Sequence, residues 1–127
     1  YMELKKLSTA PSHEAGAECR IKANGKNTDV YIKIRGQDSK TYRAAKKKQM
    51  REFVEARKNN IDVVDLDTDR MDVELLADCT IGWRGITSGG EEYEFSRENA
   101  VQLYTDAPDV VYQLLQFIED RGNFTNG

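Results

Sequence analysis

The 127-residue chain predicts an α+β fold, mainly helical with about four helices, and with a small N-terminal antiparallel β-hairpin. Three observations carry that expectation. Residues 17–35 alternate apolar and polar side chains with a period of two. Four later segments repeat apolar residues at helical spacing, each opened by a capping side chain or a proline. No run of about 20 apolar residues occurs, so a membrane-spanning helix is not expected.

Residues 1–16 read as a flexible arm whose apolar anchors are Leu4 and Leu7, broken by Pro11 and Gly16. Tyr1 ahead of Met2 reads as a remnant before the natural start. The lysines of YMELKKLSTA lead into no apolar stretch of the kind a signal peptide needs. Residues 17–124 read as a single globular domain and residues 125–127 as a C-terminal tail.

In the domain, Ala17, Cys19, Ile21 and Ala23 alternate with polar neighbours, as do Val30, Ile32 and Ile34. Asn24-Gly25 between them is a turn dipeptide, and although the link to Thr28 reads as longer than a two-residue turn, the pair is expected to form a hairpin. Asp38 or Ser39 then caps a long helix over residues 39–58. Tyr42, Ala45, Gln49, Phe53 and Ala56 fall on its inner side, and Lys40, Arg43, Lys47, Arg51 and Lys58 on its outer side. Asn59-Asn60 ends it. Asp67 or Thr68 caps a second helix, whose apolar arc runs Met71, Leu75, Leu76, Cys79 and on to Trp83, with Gly82 and Gly85 ending it. Ser96 caps a third, and Pro108 opens a fourth in the first turn, where its missing N–H costs nothing. Gly122 is placed to stop that last helix.

The net charge of −3 speaks against a nucleic-acid-binding domain, which would be basic. Cys19 and Cys79 lack metal-ligand spacing and read as free thiols. His13, the only histidine, stands in a polar stretch with nothing obvious to orient it. Asp65, Asp67 and Asp69 mimic the start of a calcium loop, but Arg70 stands where glycine is needed and Leu76 where a bidentate glutamate is needed, so a capped acidic helix start is expected instead. Gly89-Gly90 is followed by no Lys-Ser or Lys-Thr and is no phosphate loop. No nucleophile, base or metal set assembles, so neither enzymatic activity nor a cofactor is expected. Trp83 reads as a core residue whose N–H will seek a loop carbonyl. The outer face bearing Lys40, Arg43, Lys47 and Arg51 is the candidate surface for self-association with an acidic helix face. Alternatively, the whole Lys40–Lys58 face could hold the phosphates of a nucleic acid in a small regulator.

The stretch LLADCTIGWRGITSGGEEYEFSRENAVQLYTDAPDVVYQLLQFIEDRGNF, Leu75 to Phe124, adds a resemblance. It contains a helix leading to Trp83-Arg84-Gly85-Ile86 and a glycine-rich acidic turn from Ser88 to Glu92. The helix start Phe95-Ser96-Arg97-Glu98-Asn99 follows, then Leu103-Tyr104, a last helix begun at Pro108, and the closing Asn123-Phe124. In that order the features resemble the tail assembly chaperones of long-tailed (siphovirus) bacteriophages. The resemblance covers the C-terminal two-fifths of the chain and implies a non-enzymatic role. Such chaperones bind the tape measure protein and keep it soluble until tail tube subunits polymerise around it. It further implies a homo-oligomer in the host cell cytoplasm that is absent from the mature virion, a frameshifted longer form in some phages, and no membrane partner.

Overall fold

The computed structural model describes residues 2–62, 64 and 66–125. Its elements follow in the order α1 (Leu4–Leu7), α2 (Ala10–Ala15), β1 (Ala17–Ala23), β2 (Lys26–Ile34), α3 (Lys40–Lys58), α4 (Thr68–Cys79), β3 (Thr80–Arg84), β4 (Thr87–Ser88), β5 (Glu91–Glu92), α5 (Arg97–Asp106) and α6 (Pro108–Glu119). A 3-10 turn at Arg121–Phe124 closes the chain.

The expectation of about four helices and an N-terminal hairpin as the only sheet is corrected on both counts. The four expected helices are present, but two short ones precede the hairpin, making six α-helices among the described residues. The hairpin is part of a three-stranded sheet of order β1-β2-β3, and β4 and β5 form a second, two-stranded sheet. Helices of four and six residues are too short to leave a periodic pattern; the longer, α2, is held by tertiary contacts through its buried His13. The third strand follows directly on α4, so the apolar arc that seemed to continue along the helix to Trp83 in fact crosses into a strand.

Local chemistry explains most element boundaries. Asn24 and Gly25 both take positive φ, 52° and 77°, which is the two-residue turn whose twist suits a hairpin. Ser39 Oγ accepts from the Tyr42 N–H (3.0 Å), Asp67 Oδ1 from Arg70 (2.9 Å) and Ser96 Oγ from Asn99 (3.0 Å), so three helices start on side-chain caps. At the end of α3, Asn60 is left-handed with φ 57°. The Ile61 N–H reaches back to the Ala56 carbonyl and the Asn60 N–H to that of Arg57, which satisfies carbonyls that the helix leaves open. Gly122 takes no part in stopping α6, which ends at Glu119; it lies inside the 3-10 turn, where the Asp120 carboxylate accepts from its N–H.

One face of the sheet is buried under helices. Register pairs Cys19 with Ile32 and Ile32 with Trp83, so the inward side chains of neighbouring strands line up. Ile32, Ile34, Leu76, Cys79, Ala100, Tyr104, Leu114 and Ile118 are buried at 1% exposure or less, and form the core between the sheet and α4, α5 and α6. Burying each large apolar side chain there contributes about 1.5–3 kcal/mol. Helix α4 is central: α3, α5 and α6 all pack on it. On the β1 edge, the Gln113 side chain from α6 accepts from the Lys22 N–H (2.8 Å) and donates to its carbonyl (2.9 Å), taking the place of a pairing strand.

Candidate partner-binding surfaces

The predicted basic face is where the sequence puts it. Lys40, Arg43, Lys47, Arg51 and Lys58 are all exposed on the outer side of α3, and none forms an ion pair among the described residues. Two apolar side chains share that face: Met50 is 60% exposed and Val54 51%. Within the molecule, the basic helix and the acidic one after it are joined by a pair of the opposite polarity. The link between them joins an acid of α3 to a base of α4, with Arg70 reaching Glu52 (2.8 Å) and also Glu74 (2.9 Å). Asp67 is a helix cap, as expected, while Asp65 lies outside the described residues.

Trp83 stands on β3 rather than on a helix and is half-buried. Its indole N–H donates to the Tyr93 carbonyl at 2.7 Å, the kind of loop acceptor expected. Tyr93 stacks on the ring at 5.9 Å, and Phe95 meets it edge-on at 5.1 Å. The acidic β4–β5 hairpin is therefore folded back toward the sheet by three aromatic rings. The two glycines expected to act as a pair do different things. Gly85 has φ +90°, and a Cβ there would sit 2.1 Å from the Asp29 carbonyl oxygen, so only glycine fits against β2. Gly82 has open space where a Cβ would go and needs no such freedom. Ser96 caps α5 and Pro108 opens α6, as the sequence predicts.

A groove that no local pattern announced runs between α4, α5 and α6. It encloses about 570 Å³. Val73, Val101, Val111 and Leu115 form its apolar floor, and Tyr112, 60% exposed, stands at its edge. Asp67, Asp69, Asp72 and Glu74 line one side against a single base, Arg70, so that rim is net negative. Burial raises the Asp72 carboxyl above its ordinary range, and the neighbouring Asp69 adds to the rise while Lys46 opposes it. Three helices contribute side chains from positions up to about 48 residues apart, which is why spacing alone could not find the groove.

A buried polar cluster was also missed. His13 is wholly buried, and its ring stacks on Phe124 at 4.6 Å. Its Nδ1 accepts from the Asp38 N–H at 3.1 Å, so the neutral ring carries its proton on Nε2. The Asp38 carboxylate takes a bidentate pair of bonds from Arg121 (2.8 and 3.0 Å) and one from the Thr9 hydroxyl. Those bonds hold Asp38 well below the usual carboxylate range. The expected arm is thus tied to the far end of the chain, and α2 is tied to α3 as well, since the Glu14 carboxylate accepts from the Lys40 N–H (2.8 Å) and the Thr41 hydroxyl (2.8 Å). Phe124 is buried at 3% exposure, whereas Leu4 and Leu7, read as anchors, are exposed.

Burial pushes the Cys19 thiol up to about 11 and that of Cys79 up to about 12, so both are protonated near neutral pH. Among the described residues no cluster of three or more His, Cys, Asp or Glu side chains is arranged to hold a metal ion. Among them, too, no helix is long and apolar enough to cross a membrane.

Fold and surfaces together define a small α+β protein, with a helical layer on one face of a three-stranded sheet and an acid-rimmed groove opposed in charge to a basic ridge. The YdaY prophage protein family model matches residues 37–126, well over half of the chain, and the chain belongs to that family. It is a phage-derived protein, as the resemblance to phage tail proteins implied at the coarser level. No curated protein and no solved structure matches it. The matched span begins after the β1–β2 hairpin, yet β3 inside that span completes its sheet only by pairing with β2 outside it.

Proposed function

We propose that this protein is a tail assembly chaperone. It binds the tape measure protein in the host cytoplasm, without catalysing a reaction, keeps its apolar helices soluble and helps recruit tail tube subunits around it. The observation that carries this reading is the ordered run of motifs from Leu75 to Phe124, which lies within the span matched by a phage protein family. Physical features support it. A long helical protein awaiting assembly exposes apolar stripes, and an apolar groove of the kind between α4, α5 and α6 can cover them. The densely charged, net acidic surface suits a carrier that has to remain dissolved while loaded.

Co-expression with the neighbouring large, helix-rich gene product tests the proposal. The expected outcome is that the large protein becomes soluble and co-purifies with this chain. A large protein that stays insoluble, or dissolves equally well without its companion, refutes it.

One observation favours a second reading, a nucleic-acid-binding regulator: the cations of the α3 face are exposed and unpaired among the described residues. That reading requires DNA binding that weakens steeply with salt and is lost when Lys47 and Arg51 are replaced by alanine.

A further inference from the structure

We infer that the groove between α4, α5 and α6 is a docking site for an amphipathic helix whose apolar stripe is flanked by lysine or arginine. The inference rests on the chaperone reading and adds the site and the chemistry of its occupant.

The shape comes first. The floor is apolar, and of its residues Val101, Val111 and Leu115 are only partly covered while Val73 is buried. A groove of about 570 Å³ has room for side chains from one face of a helix and not for a helix body, so the partner lies along it and inserts a stripe. Tyr112 projects at the edge with 60% of its surface exposed, a large amphipathic ring of the type that dominates binding surfaces.

Charge then selects the partner. The α4 side presents four carboxylates against one guanidinium, and that guanidinium is already engaged by Glu52 and Glu74. Asp69 is exposed with no ion pair among the described residues, and Asp72 is half-buried beside it. Burial and the neighbouring Asp69 disfavour the Asp72 carboxylate while Lys46 favours it, and a cation from a docked helix adds to the favourable side. An acidic helix would instead add like charge to a partly desolvated rim. The apolar floor and the anionic rim therefore ask for the same ligand, a helix that is apolar on one side and basic along its borders.

The rival occupant is a second copy of this chain, offering the α3 face with Met50 and Val54 amid its cations. Within one molecule α3 meets α4 through Gln49 and Glu52, which bond to Met71 and to Arg70 at the groove's rim, while Met50 and Val54 stay exposed.

The test uses the full chain and a fluorescent synthetic helix of about 18 residues, roughly 27 Å long, with leucines on one face and lysines on the other. A twin peptide carries glutamate in place of every lysine. Anisotropy titrations at low salt are expected to give saturable binding of the lysine peptide and none of its twin. Tyr112→Ala and Asp69→Lys alter exposed side chains and should each weaken binding about fivefold or more; the melt is expected to stay unchanged in Tyr112→Ala and to fall slightly in Asp69→Lys, which puts a cation in the first turn of α4. Equal affinity for the two peptides, or binding indifferent to both substitutions, overturns the inference. So does sedimentation showing that the chain fills its own groove, with self-association lost on both Tyr112→Ala and the α3 double variant Lys47→Glu/Arg51→Glu while the lysine peptide stays unbound. Both variants also enter the co-expression experiment. If they solubilise the helix-rich tail protein as well as the parent does, the groove assignment fails and the chaperone reading stands. If the lysine peptide binds in a groove-dependent way and no tail protein is rescued, the groove assignment stands and the chaperone reading fails.

Discussion

Helices α3 and α4 lie side by side and are built to different ends. The longer, with 19 residues, buries only Ala45 and Ala56; the shorter, with 12, buries six residues including Leu75, Leu76 and Cys79. Both begin on a side-chain cap, so local helix chemistry does not separate them. Position does. Helix α4 has neighbours on several sides, while α3 is held by α2 at its start and by α4 along its length, as in the Gln49 bond to the Met71 carbonyl. A helix seated on two alanines gains little transfer free energy, and its remaining surface is free to carry charge for purposes other than folding. The central helix has less of that freedom, and several of its polar residues are committed, as with the Asp67 cap and the Arg70 bridges.

The sharpest way to break that contrast is one substitution in each helix. Leu76→Ala in α4 is expected to cost about 2–5 kcal/mol in urea unfolding, because the leucine is wholly buried and leaves a cavity. Val54→Ala on the exposed side of α3 should change stability by less than about 0.5 kcal/mol. Similar losses at the two positions would mean that α3 is as deeply integrated as α4.

The segment that follows α4 offers a second pair. Gly85→Ala forces a side chain onto the Asp29 carbonyl at a positive φ and is expected to cost about 1–3 kcal/mol or more, whereas Gly82→Ala should be close to neutral. Thermal melts of the two variants decide it; equal shifts would show that the strand, and not the close approach, sets the requirement.

A smaller effect tests the polar link under α4. The Thr80 hydroxyl gives its single proton to the Leu76 carbonyl (2.7 Å), so the buried Tyr104 hydroxyl must donate to Thr80 (2.7 Å). Tyr104→Phe removes that bond and should cost about 1 kcal/mol.

Acid should produce the gentlest change, and in two stages. Burial lowers the His13 value below its ordinary 6.5, with Asp38 opposing and Arg121 assisting. The unfolded chain therefore binds the proton first. The stabilising contribution is present in full above about pH 6.5 and is lost as the pH falls toward the folded value. The structural reason is that the incoming proton must occupy Nδ1, which already accepts from the Asp38 N–H. Asp38 is lowered from 3.8, chiefly by the Arg121 and Thr9 bonds, so its contribution is present above about pH 4 and disappears only below that. Thermal midpoints should decline from about pH 6.5 downward, and His13→Phe should flatten the first stage while lowering the plateau. An unchanged profile in that variant would take His13 out of the account.

The parts of this molecule legible in its sequence are those governed by neighbours within a few residues. Ser39, Asp67 and Ser96 are caps because each accepts from an N–H three positions on, and Asn24-Gly25 is a turn because those two residue types tolerate positive φ. The basic stripe of α3 followed from helical periodicity alone. The tertiary structure decided the rest. Trp83 was assigned to the wrong element because five residues of strand placed directly after a helix mimic one more turn of it, and only pairing with β2 reveals the strand. His13 found its partners far away in sequence, in the Asp38 N–H and the Phe124 ring, and the groove drew its walls from three helices. Contacts between residues so far apart leave no periodic trace in the chain, because a side chain's identity records what it can bond to and not which distant group the fold will bring to it.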